Sequence, residues 1–463
     1  VSSAVTSLRR LSRSTDARAA APVRIVHLGV GNFFRAHQAW YTEHSDDAPD
    51  WGIAAFTGHS RRTADELTAQ DGLYTLLVRH ESESVPEVIG SLSAVHAGSD
   101  LAVLRDYLAA EEVAVVTVTV TEAGYWRDES GGLDLTADPV RADLAALRSG
   151  AVEVLETVPG RLVAGLAARR EADVGGLAVV SCDNVPGNGA MAHRVVTDLA
   201  REVDPGLAEW VDANVSFVTT MVDRITPRSS DADLADARTL TGVDDPALVV
   251  TEPFTEWVLA GDFPGGRPAW DSAGARFVDD VHPFETRKLW LLNGAHSIMA
   301  YAGSILGHET VADAVMDPEV FGWVEDWWDC ASRYLTLPEE EVAAYRQALF
   351  DRFANPNIRH RLAQIAQDGS QKVPIRVLPV LRLARADGQL PSGVTRFLAG
   401  WIAHLRGHGV PVHDVEGARL TELAQGSVRE AVPAMLDWLG VDDLEVSALV
   451  EQQVAELEAR SDR

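Results

Sequence analysis

Val113-Ala-Val-Val-Thr-Val-Thr-Val120 restricts the fold of this chain more than any other segment. Nearly every residue in it is branched at Cβ and none is charged, so it offers water no polar face. Such a strand has to be covered on both sides, which places it inside a mostly parallel sheet with helices on either face. Residues 23–28, 51–56, 74–79, 177–181 and 215–221 read as further strands, with helical stretches between them. From about Pro283 the β-branched runs stop. Ala, Leu, Glu and Arg at helical spacing then dominate to Arg463, and Trp323, Trp327 and Trp328 fall in one such helix as core residues. The expected organisation is an α/β domain with a mostly parallel sheet over 1–282 and an all-α domain over 283–463, packed closely and sharing a cleft.

At 463 residues the chain exceeds what one hydrophobic core serves, in keeping with two domains. A net charge of −29 repels nucleic acid and anionic membrane, so neither is expected as a partner. An anionic metabolite needs only a few local cations and stays admissible. Cys182 and Cys330 make no disulfide framework and have no metal-ligand spacing, and a cytoplasmic, reducing setting is expected. No apolar run reaches the length of about 18 residues that a membrane span needs. The opening stretch to about Ala21 carries Arg9, Arg10, Arg13 and Arg18 without an apolar core, unlike a secretory signal, and reads as a partly ordered arm. Nothing in the sequence specifies an oligomeric state.

Gly29-Val-Gly31 lies at the first strand–helix junction, where a dinucleotide-binding domain of Rossmann type has its turn. The first glycine permits the tight turn, and the second lets backbone approach a pyrophosphate at the helix start. Phe34 stands where a third glycine is usual. After the second strand, Thr57-Gly-His59-Ser-Arg61-Arg62 brings no carboxylate before Asp65, although the ribose hydroxyls of NAD are normally met by one there. Arg61 or Arg62 suits a 2′-phosphate, or is simply a solvated loop charge. Cofactor choice between NAD and NADP therefore stays open.

Only two lysines occur among 40 basic residues, Lys288 and Lys372. Arg stays charged under nearly all conditions, whereas a desolvated Lys can lose its proton and act as a base. Lys288 begins Lys288-Leu-Trp-Leu-Leu-Asn293-Gly-Ala-His296. At about 100° per residue on an α-helix, Asn293 and His296 fall about 140° and 80° from Lys288, on one face. That set suits hydride transfer: a base for the hydroxyl proton, an amide to steady the alkoxide, an imidazole to orient a neighbouring hydroxyl. Glu285, one turn earlier, either relays the proton or keeps Lys288 charged. No His/Cys/Glu array suits a catalytic zinc. The Tyr-x-x-x-Lys arrangement of short-chain dehydrogenases is broken by Phe284 at the tyrosine position.

Gly29-Val-Gly31-Asn32-Phe33-Phe-Arg35-Ala-His37-Gln38-Ala, Gln70-Asp-Gly-Leu-Tyr74-Thr, Ser181-Cys-Asp183-Asn184-Val-Pro-Gly-Asn188-Gly, Met221-Val-Asp223-Arg224-Ile-Thr-Pro227 and Lys288…Asn293-Gly-Ala-His296-Ser are shared, as a set, with one group of enzymes. Over nearly its whole length the chain closely resembles the long-chain mannitol dehydrogenase family. The resemblance implies an NAD(P)-dependent, metal-independent dehydrogenase of a polyol or sugar acid. It implies Lys288 as base, Asn184 and Asn293 as the alkoxide-stabilising pair, and His296 at the substrate. It also implies Gly29, Gly31, Asn32 and Phe33 at the cofactor, with Asp223 and Arg224 beside the substrate. Asn355-Pro-Asn-Ile-Arg359-His-Arg361-Leu-Ala-Gln364…Asp368-Gly-Ser-Gln-Lys372-Val-Pro-Ile-Arg376 looks most like the fructuronate reductases of the family, since mannitol dehydrogenases are expected to carry Arg where Gln364 stands. A uronate has a carboxylate, for which Arg359, Arg361, Lys372 and Arg376 are charge-assisted partners. The expected reaction interconverts D-mannonate and D-fructuronate. A mannitol 2-dehydrogenase is the alternative, and a non-catalytic nicotinamide-binding sensor is a remote one.

Overall fold

A computed structural model describes residues 8–16, 18–58 and 60–461. The first seven residues of the expected arm, and His59 of the loop after the second strand, lie outside the described residues. Much of the arm that is described is held firmly. Leu11 is buried against Leu73 and Val243, and the Arg13 guanidinium donates to the carbonyls of Gly90 and Leu92.

The chain divides after His282 into two compact units. In the first, the strands in chain order are β1 (Val23–Leu28), β2 (Gly52–Phe56), β3 (Tyr74–Arg79), β4 (Ser84–Ile89), β5 (Leu92–His96), β6 (Val115–Val118), β7 (Leu177–Ser181), β8 (Val215–Asp223), β9 (Val249–Thr251), β10 (Glu256–Ala260) and β11 (Arg276–Phe277). Eight of them form one sheet in the order β11-β10-β8-β7-β6-β1-β2-β5. Only the β8–β10 pairing in it is antiparallel. The Tyr74–Arg79 run belongs elsewhere, to a separate three-stranded sheet ordered β4-β3-β9.

The main sheet is covered on both faces, as the β6 run requires. Val116 and Val118 pack into one core with Val26, Leu28, Phe56 and Val179, while Val115 packs into a second core with Ile25, Ile53, Ala178 and Val180. Successive side chains of a strand point to opposite faces. One apolar run therefore feeds two cores. Burying a valine fully is worth roughly 1.5–3 kcal/mol, so this strand is a large stabilising element for its length.

The second unit is helical. Its helix Ser392–Leu405 is buried on almost every side, as a helix with apolar residues all round must be. Pro318–Ser332, Glu339–Ala354 and Leu444–Ser461 are the other long helices. Among the described residues, no helix is long and apolar enough to cross a membrane. No group of three or more His, Cys, Asp or Glu among them is arranged to hold a metal ion.

Candidate active site

In the first unit, β1 is flanked by β2 on one side and β6 on the other, and the chain leads from β1 to β2 but from β6 to β7, in opposite directions across the sheet. Ligands of open α/β sheets bind in the crevice at such a point. Gly29 follows β1 at φ +105°, and a Cβ there would stand 2.0 Å from the Thr119 carbonyl oxygen just past β6. No other residue type fits. Gly31 faces space, since a Cβ placed on it would have no neighbour nearer than the Gly29 carbonyl at 3.8 Å. The helix that follows covers only Asn32–Ala36, breaks at His37 (φ −121°, ψ −87°), and resumes as Gln38–Glu43.

Arg35 locks this turn. Its buried guanidinium donates to the Gly31 and Ala247 carbonyls and to Asn32 Oδ1 (2.7 Å), which leaves Asn32 partly engaged within the turn. The Phe33 ring lies 5.0 Å from that of His37. Thr119 Oγ1, beside Gly29, is buried with no protein partner. The open face at Gly31 and this orphaned hydroxyl fit a bound dinucleotide. Arg61 is exposed and pairs at 3.2 Å with Asp65, one turn along the same short helix.

Asn184 is exposed on the loop after β7. Asn188 shapes that loop from within. Its buried amide donates to the Asp183 and Thr220 carbonyls and accepts from the Thr220 N–H, each at 2.9 Å. Asp183, in the same motif, is buried and accepts from the Val120 N–H and the Tyr125 hydroxyl. Burial pushes its carboxyl up to about 7, against the pull of those two donors. Asp223 ends β8, buried opposite Glu256 of β10. Arg224 is enclosed by protein: it donates to the Ala36 and Glu252 carbonyls, stacks over Trp40 at 4.9 Å, and is pushed down to about 10 by burial. Those bonds tie the Asn32–Ala36 helix to the strand edge.

In the second unit the helix begun at His282–Arg287 widens into a π-helix over Lys288–Asn293 before returning to α-helix at Gly294–Ile298. The Gly294 N–H accordingly skips the Trp290 carbonyl and is shared between those of Leu289, five residues back, and Leu291. This corrects the α-helical projection of the sequence. A π-turn advances by only about 80° per residue, which brings Asn293 to within about 40° of Lys288 and, after three α-helical steps, His296 to about 20° on the other side. Lys288, Asn293 and His296 thus form one stripe, narrower than expected. Two indoles meet the carbonyls of the widened turn: Trp327 Nε1 donates to Trp290 at 2.7 Å and Trp328 Nε1 to Leu291 at 2.9 Å. A Cβ on Gly294 would sit 2.5 Å from Trp327 Nε1, so the glycine makes room for the ring.

Lys288, Glu285 and Asn293 are half-buried. The bonds that hold Asn293 go to its backbone carbonyl, which accepts from Arg376 Nη1 (3.2 Å) and Ser297 Oγ (3.1 Å). His296 is buried beside Phe353 and the edge of His360, with ring centroids 4.8 and 5.0 Å away. Burial, then His360, Arg352 and Arg376, hold its imidazole neutral by pushing its pKa well below the usual range. Its Nε2 has no protein partner, as suits a nitrogen kept for a ligand hydroxyl.

Arg376 donates through the same Nη1 to Ser297 Oγ at 2.7 Å, its Nε is buried without a partner, and burial pushes it down to about 10. Lys372, one turn earlier, donates hydrogen bonds to the Ile365 and Gln367 carbonyls, and its pKa is lowered by burial and by Arg376. Gln364, Arg359 and Arg361 are exposed. Two cations bear on the stripe at His296, the buried Arg352 and the half-buried Arg376. Asp183 was legible in its motif, whereas Tyr125, Trp327 and Trp328 lie in segments with no local signal of chemistry.

Residues 23–272 match the mannitol dehydrogenase Rossmann domain, and residues 280–460 match the mannitol dehydrogenase C-terminal domain. The chain is 38% identical to the D-mannonate oxidoreductase of Escherichia coli (strain K12) over 447 residues, 92% of this chain and 90% of the relative. Among solved structures, substrate-free D-sorbitol dehydrogenase is similar with a TM-score of 0.90 at 30% identity, covering 98% of this chain and 99% of the other. Pseudomonas fluorescens mannitol 2-dehydrogenase, in a ternary complex with NAD and D-mannitol, is similar with a TM-score of 0.79 at 31% identity, covering 98% and 96%.

Proposed function

The chain belongs to the mannitol dehydrogenase family, and from that premise we propose that it interconverts the secondary alcohol and ketone of an acyclic sugar acid, D-mannonate and D-fructuronate. It is a nicotinamide-dependent oxidoreductase of CH–OH groups. In the proposed chemistry Lys288 takes the hydroxyl proton while the same carbon gives up a hydride, and the reverse sequence reduces the ketone. The Asn293 and Asn184 amides donate to the oxygen as it gains charge, the stabilisation that a carbonyl-forming step needs. Neutral His296 orients the neighbouring hydroxyl through Nε2, Asp223 supports the substrate end of the site, and Glu285 passes the proton on from Lys288. Gly29, Gly31, Asn32 and Phe33 would hold the dinucleotide, whose nicotinamide supplies the hydride acceptor. NAD is the first choice of cofactor. The exposed Arg61–Asp65 pair is a weak one, so Arg61 can turn to a 2′-phosphate and admit NADP as well.

One observation carries the choice of a sugar acid: Arg376, a half-buried cation whose enclosed Nε has no partner, bonds to the turn at 293–297. A substrate carboxylate leaving water needs such a partner. The 38% identity to a D-mannonate oxidoreductase supports the same reading. Lys372 is proposed to help with its remaining proton. A specific observation favours the second reading, a mannitol 2-dehydrogenase: Lys372 is engaged with two carbonyls, while Gln364, Arg359 and Arg361 are exposed. The test compares fructuronate with fructose, each with NADH, in wild type and Lys372→Met. Wild type should prefer fructuronate by about 10²-fold or more in kcat/KM, because a neutral polyol leaves the site's cations unpaired. Lys372→Met should narrow that gap. Preference for fructose, or an equal effect of the variant on both substrates, gives the mannitol reading.

A further inference from the structure

We infer that Trp327 and Trp328 are positioning residues for the reaction, holding open the widened turn that aligns Lys288 with Asn293. The inference rests on the reading of Lys288 as base. A π-turn is rare, found mostly as a single widened turn inside an α-helix. Through the same residues an α-helix would swing Asn293 about 140° away from Lys288. Something must make the wide form the lower one in energy here.

The two indoles are that something. They stand at successive positions of the Pro318–Ser332 helix, fully buried, and they donate to successive carbonyls, Trp290 and Leu291. Both acceptors lie inside the widened segment, between the lysine and the asparagine. In the α-helical register the Gly294 N–H would take the Trp290 oxygen; here that N–H is shared between the Leu289 and Leu291 carbonyls, and the Trp327 indole takes the vacated Trp290 oxygen. Gly294 completes the device. Any larger residue there would press a Cβ to 2.5 Å from Trp327 Nε1 and expel the donor. The tryptophans touch neither the lysine amine nor a substrate in this scheme, and they act through the backbone alone. Sequence gives them the look of ordinary core residues, which by packing they also are.

Replacing each indole with a phenyl ring keeps most of the packing and removes the N–H. Trp327→Phe and Trp328→Phe are expected to lower kcat by about 10–100-fold, the cost of a displacement of about 1 Å in a catalytic group. KM should move less than about twofold, because the substrate contacts stay in place, and the isotope effect on kcat for substrate deuterated at the reacting carbon should rise. Trp323→Phe, one turn earlier on the same helix and packed under Arg396, is the control and should leave kcat unchanged. Should a phenyl variant fail to fold, Gly294→Ala reaches the same bond from the other side and predicts the same kinetic signature. Lys288→Ala is measured in parallel and should lose about 10²–10⁴-fold. If that variant keeps its turnover, the base reading fails on its own evidence. If it loses turnover while the tryptophan variants keep kcat within twofold, or fall no further than Trp323→Phe, the positioning role is overturned and the base reading stands.

Discussion

Asp183 holds a proton that an ordinary carboxylate would have lost. Folded, it titrates near 7; in the unfolded chain it returns to about 3.8. Between those values the folded state binds the extra proton, so stability falls as pH rises through the window, by about 1.4 kcal/mol per unit at the steepest, and levels off above 7. The titratable groups facing it are Tyr125, whose hydroxyl it accepts, and Cys182, both pushed up by burial and by Asp183 itself. Neither adds charge in this range. Asp183→Asn should remove this falling contribution between pH 5 and 7 in chemical denaturation; a variant with the wild-type slope would mean the carboxyl is already ionised when folded. His296 works in the opposite direction. Its folded pKa lies below the unfolded 6.5, so below that pH the unfolded chain takes up a proton that the folded site refuses, and stability is lost in acid. The difference between wild type and Asp183→Asn isolates the aspartate from this background.

Among the elements, β6 makes the firmest prediction. Val115 and Val116 enter different cores, so Val115→Thr and Val116→Thr should each destabilise by about 1–3 kcal/mol, the cost of an unpartnered buried hydroxyl. A near-zero effect at either position would mean that one face of the sheet is wet. This strand was legible because its chemistry is local: an unbroken β-branched run has one low-energy use. The Lys288–Asn293 turn was not. Apolar spacing in Lys288-Leu-Trp-Leu-Leu-Asn293 serves an α-helix and a π-helix equally well, and what separates them is a pair of donors on a helix far along the chain. The break at His37 has a similar origin: residues 33–43 contain neither proline nor glycine, and the kink comes with His37 Nε2 bonding to the distant Glu256 carbonyl. Residue types announced Lys288, Asn293 and His296. Their alignment came from tertiary structure.

For the whole molecule, the net charge of −29 sets how substrates approach. An anionic sugar acid is repelled at long range and attracted only near its local cations. Salt screens the long-range part first, with a Debye length of about 10 Å at 0.1 M, and affects a buried contact least. Between very low salt and 0.1 M, kcat/KM for fructuronate should therefore rise by about two- to fivefold, while that for a neutral polyol stays flat. A fall over that range would show that attraction by the site's own cations reaches further than the repulsion. The division of the chain has a different kind of consequence, for inheritance. The polypeptide passes from one unit to the other once, after His282, and Lys288, Asn293, His296 and Arg376 all follow that crossing, whereas Gly29 and Gly31 precede it. A single recombination in the gene at that point would carry the lysine, its asparagine and its histidine together with the two tryptophans that align them. An exchange at that point would move the proposed base and its neighbours together and leave the glycine turn behind.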